Sequence, residues 1–350
     1  MSTTTSAKLR GASLRGFFPD GIPRLWCPLL THYRDDGSID FDRMSVHLSQ
    51  VTPWVNGYLI PGSTGDGWEL DEAETLAVTE FAVRQARERG LSLLVGVLRT
   101  ETDRVKKTME GMLLLLERLT GIADGRQRLS AARVCAFALC PPKGATRTQN
   151  EIYANLSELM ERGLPMALYQ LPQVTENEVA PETFETLAAK YSNLIFFKDS
   201  SGHDRIAASS VDKGGVYLVR GAEGEYARWL KDAGGAYDGF LLSSANYFPA
   251  ELKKLIESVE KGDIDRAQEI AGRLTAVVRQ VFELVQPLPH GNHFTNAAKA
   301  IDHYCAFGPL GHSKEGPMLH SRVRLPQRVI TDTGAILGRS QMMPHKGDLE

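Results

Sequence analysis

The chain has 350 residues, of which 42% are hydrophobic and 24% charged, enough for one large domain or two smaller ones with a sizeable core. Forty Lys and Arg against 43 Asp and Glu leave a net charge of −3, so there is no basic field for nucleic acid. No run approaches the roughly 18 apolar residues that a membrane span needs.

The first sixteen residues carry Lys8, Arg10 and Arg15 without an acidic residue, a composition shared with import segments, but they lack the continuous apolar stretch of a secretory signal. Residues 1–20 are read as a flexible N-terminal extension. From Arg24 onward, strand-length apolar runs alternate with helical patterns. The strands are expected at Leu25 to Leu29, Gly57 to Ile60, Leu93 to Val97, Val134 to Leu139, Met166 to Tyr169, Leu194 to Phe197, Val216 to Val219 and Gly239 to Leu242. Between them lie helical segments at Asp40 to Val51, Asp71 to Arg89, Thr102 to Leu119, Asn150 to Glu161, Pro181 to Lys190, a short piece after His203, and Glu223 to Asp232, and Phe248 to Lys261 follows the last strand.

Punctuation supports several of these. Asp71-Glu72-Ala73-Glu74 sets carboxylates at a helix start, and Arg87 to Gly90 closes the same helix with basic residues and a glycine. Gly121 to Ser130, rich in glycine and charge, is read as an inserted surface loop. Eight strands, each followed by a helical segment, predict an α/β fold, a (β/α)₈ TIM barrel over residues 21–255. A doubly wound open sheet is disfavoured because no GxGxxG sits in the first strand-to-helix turn. After the eighth strand the pattern turns wholly helical, with Asp263 to Val285 and Asn296 to Phe307, so residues 256–330 are assigned to a C-terminal helical domain. Residues 331–350 have no periodicity and are read as a mobile tail.

In such a barrel the chemistry sits at the C-terminal ends of the strands. After strand six, Lys198 ends the run Leu194 to Phe197 and precedes Asp199-Ser200-Ser201-Gly202. Burial there disfavours the ammonium, and a neutral amine attacks a carbonyl to form a Schiff base. After strand five stands Tyr169, one strand spacing of about 4.8 Å from Lys198 and placed to shuttle protons. After strand two, Gly62-Ser63-Thr64-Gly65-Asp66-Gly67 combines glycines with two hydroxyls, a concavity suited to a carboxylate or phosphate.

These three motifs, GSTGDG at Gly62 to Gly67, YQLP at Tyr169 to Pro172 and KDSSG at Lys198 to Gly202, in this order and spacing, resemble the dihydrodipicolinate synthase / N-acetylneuraminate lyase family over roughly residues 21–310. The resemblance implies class I aldolase chemistry with no cofactor or metal, in a homo-oligomer that is a dimer of dimers. It makes Lys198 the Schiff-base lysine and Tyr169 the general acid/base. Gly62, Ser63, Thr64 and Gly65 then hold the carboxylate of pyruvate or a 2-oxo-3-deoxy sugar acid. Lysine-pathway synthases carry an arginine after their strand-five motif where this chain has Val174, and a pair of tyrosines after strand four where it has Cys140-Pro141-Pro142-Lys143-Gly144. Lys143 is the candidate for an acidic substrate group, with a solvated loop lysine as its alternative. After strand seven, where the lyase branch has two acidic ligands for sugar hydroxyls, this chain has Gly221-Ala222-Glu223-Gly224, so only Glu223 of the pair survives; Gly221 and Ser243, after strand eight, are further candidate substrate contacts.

The four cysteines, Cys27, Cys135, Cys140 and Cys305, have no CxxC spacing and are read as buried small hydrophobes of a cytoplasmic protein. His290 and His293 flank Gly291 without a third ligand, and with His303 they do not read as a metal site. Lys299 is read as a helix-surface lysine at the site mouth. The expected activity is that of a lyase working through an imine. Dehydration of a 2-oxo-3-deoxy acid and a non-catalytic 2-oxo-acid-binding protein are the alternatives.

Overall fold

The structure, a computed structural model, describes residues 5–349. Eight parallel strands close into a barrel in sequence order: β1 (Leu25–Cys27), β2 (Gly57–Ile60), β3 (Ser92–Gly96), β4 (Val134–Leu139), β5 (Met166–Gln170), β6 (Leu194–Asp199), β7 (Tyr217–Arg220) and β8 (Gly239–Leu241), with β8 pairing back onto β1. The helices in chain order are α1 (Thr5–Phe17), α2 (Phe41–Val51), α3 (Glu72–Arg89), α4 (Thr102–Thr120), α5 (Gly125–Ala131), α6 (Gln149–Met160) and α7 (Pro172–Thr175). They continue with α8 (Pro181–Lys190), α9 (Arg205–Ala208), α10 (Tyr226–Trp229), α11 (Pro249–Glu260), α12 (Ile264–Val285), α13 (His293–Phe307) and α14 (Gln327–Arg339). None is long and apolar enough to cross a membrane.

The strands divide their side chains between two cores. Leu168, Phe197 and Phe240 pack outward against the helical layer, whereas Trp26, Leu59, Leu94, Ala167, Phe196 and Val219 fill the barrel. The fit inside is one of size: a Cβ on Gly57 would collide with the Trp26 ring, so the largest side chain of the interior faces a residue without one. The period of two then sets the site. Leu168 and Phe197 face outward, so the next residues, Tyr169 and Lys198, face inward, and they are register partners across β5 and β6.

Sequence punctuation recurs in the caps. Asp71 and Glu74 form the reciprocal capping box of α3, which ends on Gly90 at φ 72°. Four segments differ from expectation. The extension over residues 1–20 contains α1, which closes the floor of the barrel. Leu14 and Phe18 join the interior core, and Arg10, fully buried, donates to the carbonyls of Leu194 (2.5 Å), Ala188 (2.6 Å), Tyr191 (2.9 Å) and Gly214. The charge-rich stretch expected as a loop holds α5, capped by Asp124 and bound through Arg128 to the carbonyls of Ile122, Leu113 and Ala123. The stretch expected as a mobile tail contains most of α14, whose Ile330, Ile336 and Leu337 are buried, and Tyr304 donates to the Ile330 carbonyl at 2.8 Å. Glu223 to Asp232 is α-helical only over α10, with a 3-10 turn from Lys231 at its end, because Glu225 takes a left-handed φ of 49° and Leu230 is extended.

Helix α12 buries Ala267, Ile270, Leu274, Val277, Val281 and Val285 along one stripe. They belong to the same core as the outward face of the barrel strands, so the C-terminal helices and the barrel share one interior. Helix α13 thereby reaches over the C-terminal ends of the strands.

Candidate active site

Lys198 is 5% exposed and ends in a cavity of about 20 Å³, room for one or two water molecules. Its Nζ sits 4.0 Å from the centroid of the Tyr169 ring, and among the described residues it has no ion-pair partner. Burial lowers its pKa from 10.5 to about 7. Glu223 opposes that shift. The neighbouring thiols of Cys27 and Cys140 are themselves pushed up by burial and are neutral at pH 7, which leaves Glu223 as the anion that supports the charged amine.

Tyr169 is 2% exposed, and burial raises its phenol, which is therefore protonated at neutral pH. Its hydroxyl lies 3.2 Å from Ser63 Oγ, which also accepts a 2.7 Å hydrogen bond from Trp68 Nε1. An indole N–H only donates, so Trp68 never competes for the single Ser63 proton. That proton goes either to Tyr169 or to a ligand.

The loop after β2 is held from three sides. Gly65 and Gly67 amides both donate to Gly62 O, at 3.0 and 2.9 Å, and fold the loop into a turn. Arg99 donates to the carbonyls of Gly67 and Leu70. From α13, Thr295 Oγ1 donates to the carbonyls of Ser63 and Thr64, both at 3.1 Å, and Asn292 Nδ2 donates to Ser63 O at 3.2 Å. A Cβ on Gly65 would run into the Leu29 carbonyl, so glycine is required there by close approach. Asp66 follows with a left-handed φ of 58° and pairs with Lys299 Nζ at 3.1 Å. Lys299 is thus not a surface lysine: it is 1% exposed and lies 4.3 Å from the Tyr33 ring centroid.

Ser63, Thr64, Tyr169, Lys198, Gly221 and Ser243 all line the one cavity. Gly221 lies against the lysine, since a Cβ there would stand 2.8 Å from Lys198 Cε. Gly62 and Gly65 shape the loop from behind. Glu223 is not free for a ligand: its carboxylate accepts from Ser243 Oγ at 2.6 Å, Ser244 N at 2.9 Å, Ser244 Oγ at 2.7 Å and Tyr226 OH at 2.8 Å. Lys143 lies outside the cavity lining, half exposed and paired with Glu176 at 3.0 Å. Sequence reasoning missed Trp68, Ser200, Leu171 and Phe294. Ser200 sat inside a motif already singled out, whereas Phe294 carries no local signal at all.

His290, His293 and His303 do not converge. The one His/Asp group with atoms close enough for an ion among the described residues is His32, His47 and Asp302. There the Asp302 carboxylate already accepts from His32 Nε2 at 3.0 Å and from Arg43 Nη2 at 2.9 Å, and His47 Nδ1 stands 2.9 Å away. A guanidinium in contact with the carboxylate opposes a second cation, and the group is an ion-pair cluster. Despite burial, Arg43 and the two histidines hold Asp302 well below the carboxylate range, while His32 is lowered to about 3 by burial and Arg43.

A family model described as the Dihydrodipicolinate synthetase family matches residues 131–293. The 4-hydroxy-tetrahydrodipicolinate synthase of Agrobacterium fabrum (strain C58) is 26% identical over 268 residues, 76% of this chain and 83% of the relative. That of Dichelobacter nodosus (strain VCS1703A) is 27% identical over 265 residues, 74% and 82%. Among solved structures, YagE, a prophage protein of E. coli K12 belonging to the dihydrodipicolinic acid synthase family and in complex with pyruvate, superposes with a TM-score of 0.72 at 19% identity, over 92% of this chain and 99% of that one. KD(P)GA from T. tenax does so with 0.69 at 18% identity, over 91% and 99%. At these identities the structural likeness speaks for the fold.

Proposed function

We propose, from the likeness to the dihydrodipicolinate synthetase family and the amine at the end of β6, that this chain is a class I aldolase or lyase that binds pyruvate or a larger 2-oxo acid as an imine on Lys198. What supports the reading above all is the amine itself, buried, without an ion-pair partner among the described residues and with its pKa lowered to about 7. A neutral fraction is therefore present at physiological pH to attack the 2-oxo carbon.

In this proposal the substrate carboxylate lies on the loop after β2, where the Ser63 and Thr64 hydroxyls and the backbone amides of the turn donate to it. Lys198 adds to the carbonyl carbon, Tyr169 protonates the carbinolamine oxygen, and water leaves. The protonated imine then withdraws electrons from the adjacent carbon, so that the next carbon–carbon or carbon–oxygen bond is made or broken. Glu223, held by four hydrogen bonds, is a fixed counter-charge for the cationic imine. No step calls for a metal or a cofactor. We extend the proposal to a cytoplasmic homo-oligomer, a dimer of dimers, as the resemblance implies; sedimentation measures the assembly.

The test is trapping. Borohydride in the presence of pyruvate is expected to leave a covalent adduct on the Lys198 peptide, absent in Lys198→Ala. The absence of an adduct with pyruvate or any longer 2-oxo acid contradicts the proposal.

A further inference from the structure

The side of the cavity beyond Tyr169 is apolar. Leu98, Cys140, Tyr169 and Leu171 form one buried cluster, with Trp68 and Val174 packed onto it. Leu171 and Phe294 line the cavity itself, Phe294 arriving from α13. A substrate whose carboxylate lies on Ser63 and Thr64 and whose 2-oxo carbon lies at Lys198 has the rest of its carbon chain to place against these side chains.

The charged groups that could receive a second carboxylate or a row of hydroxyls are already committed, and the Ser200 hydroxyl, which lines the cavity, is hydrogen-bonded to Tyr169. Glu223 accepts four hydrogen bonds from Ser243, Ser244 and Tyr226. Lys143 is paired with Glu176 at 3.0 Å on the rim. Arg99 spends its guanidinium on the carbonyls of Gly67, Leu98 and Leu70 and on Thr75 Oγ1. A second carboxylate or a row of hydroxyls entering here would be desolvated and would have to break one of these sets of bonds.

We propose that the variable half of the substrate is uncharged and apolar, so that the partner of pyruvate is a hydrophobic aldehyde and not a sugar or a carboxylate-bearing one. This rests on the imine reading above and names its substrate class. In the cleavage direction the substrate is a 4-hydroxy-2-oxo acid, R–CHOH–CH₂–CO–COO⁻, bound as the protonated imine. Tyr169 takes the C4 hydroxyl proton, the C3–C4 bond breaks, and its electron pair passes to C3 to give the enamine while R–CHO leaves. Tyr169 returns the proton to C3, and the water released on imine formation is consumed in its hydrolysis to pyruvate. No oxidant or reductant is needed.

The experiment compares kcat/KM for condensation of pyruvate with benzaldehyde, isobutyraldehyde, glyceraldehyde and glyoxylate in the full chain, alongside Val174→Arg. The apolar pair is expected to exceed glyceraldehyde and glyoxylate by about tenfold or more, the scale on which an apolar pocket discriminates. Val174→Arg, which adds a cation on the rim outside the reacting groups, is expected to reduce that preference and raise relative use of glyoxylate. Equal or better turnover of glyceraldehyde or glyoxylate by the unaltered chain overturns the inference. So does a pyruvate adduct on Lys198 with no turnover of either apolar aldehyde. In both cases the adduct, measured separately, leaves the imine reading standing, whereas its absence removes both.

Discussion

The molecule buries two lysines within reach of the same loop, and their difference separates structure from chemistry. Lys198 is 5% exposed and Lys299 1%. Each amine lies on a tyrosine ring, 4.0 Å from the centroid of Tyr169 and 4.3 Å from that of Tyr33. Burial lowers both pKa values. Lys299, however, has the Asp66 carboxylate at 3.1 Å, and Tyr33 OH donates to the same carboxylate at 3.1 Å. Among the described residues Lys198 has no such partner; its supporting anion, Glu223, is engaged by two serines and a tyrosine. One amine is a strut that fixes the loop after β2 to α13, and the other is the one to which we assign the imine.

The same substitution should therefore act in opposite directions. Lys299→Met leaves the Asp66 carboxylate buried without its cation and is expected to destabilise the fold by about 3–5 kcal/mol. Lys198→Met removes an amine that folding forces toward neutrality and is expected to stabilise the fold by about 2–4 kcal/mol at pH 7. The sign follows from linkage. With a folded pKa of about 7 against 10.5 unfolded, the destabilising effect of Lys198 is absent above pH 10.5, grows as the pH falls and is complete below 7. Urea denaturation of the two variants across pH measures both terms, and equal signs would dissolve the distinction.

The two tyrosines extend the contrast at smaller amplitude. Tyr169→Phe is expected to lower kcat about 100-fold or more while leaving stability within about 1 kcal/mol. Tyr33→Phe is expected to cost about 1 kcal/mol of stability with kcat nearly unchanged. Steady-state kinetics and denaturation on both variants report this, and a Tyr169→Phe enzyme of normal rate removes the phenol from proton transfer. Smallest is Trp68→Phe, which deletes one donor to Ser63 Oγ. A threefold to tenfold loss in kcat/KM, about 1 kcal/mol, is expected, with the pyruvate adduct still formed. Full activity would show that the indole N–H does not orient Ser63.

What was legible in the chain follows the same division. Lys198 and Tyr169 were readable because strand periodicity is local: an apolar run of known length states which residue ends it and which way it faces. The loop after β2 was readable from its glycines. Lys299 was misplaced, although a signal was available, since Ala297, Ala298, Ala300 and Ile301 surround it with apolar residues and leave no solvent face. Asn292 and Thr295 likewise mark a cap four residues ahead of the expected start of α13 at Asn296. Phe294 could not have been found, because its place in the cavity brings it to lining residues far away in the chain, from Ser243 back to Pro28, and only the tertiary fold closes that distance. Helix α1 was hidden for a similar reason: Gly11 and Gly16 weaken its local pattern, and only the carbonyls at the floor of the barrel explain the burial of Arg10.

The central claim is that Lys198 is a free amine poised at neutral pH while Lys299 is a committed cation, and trapping with pyruvate and borohydride over a pH series, read by peptide mass spectrometry at both lysines, addresses it directly. The account predicts an initial rate of adduct formation at Lys198 that rises with pH to half its maximum near 7, with no adduct at Lys299. A half-maximum near the ordinary lysine value of about 10.4, or equal labelling of the two, would contradict it.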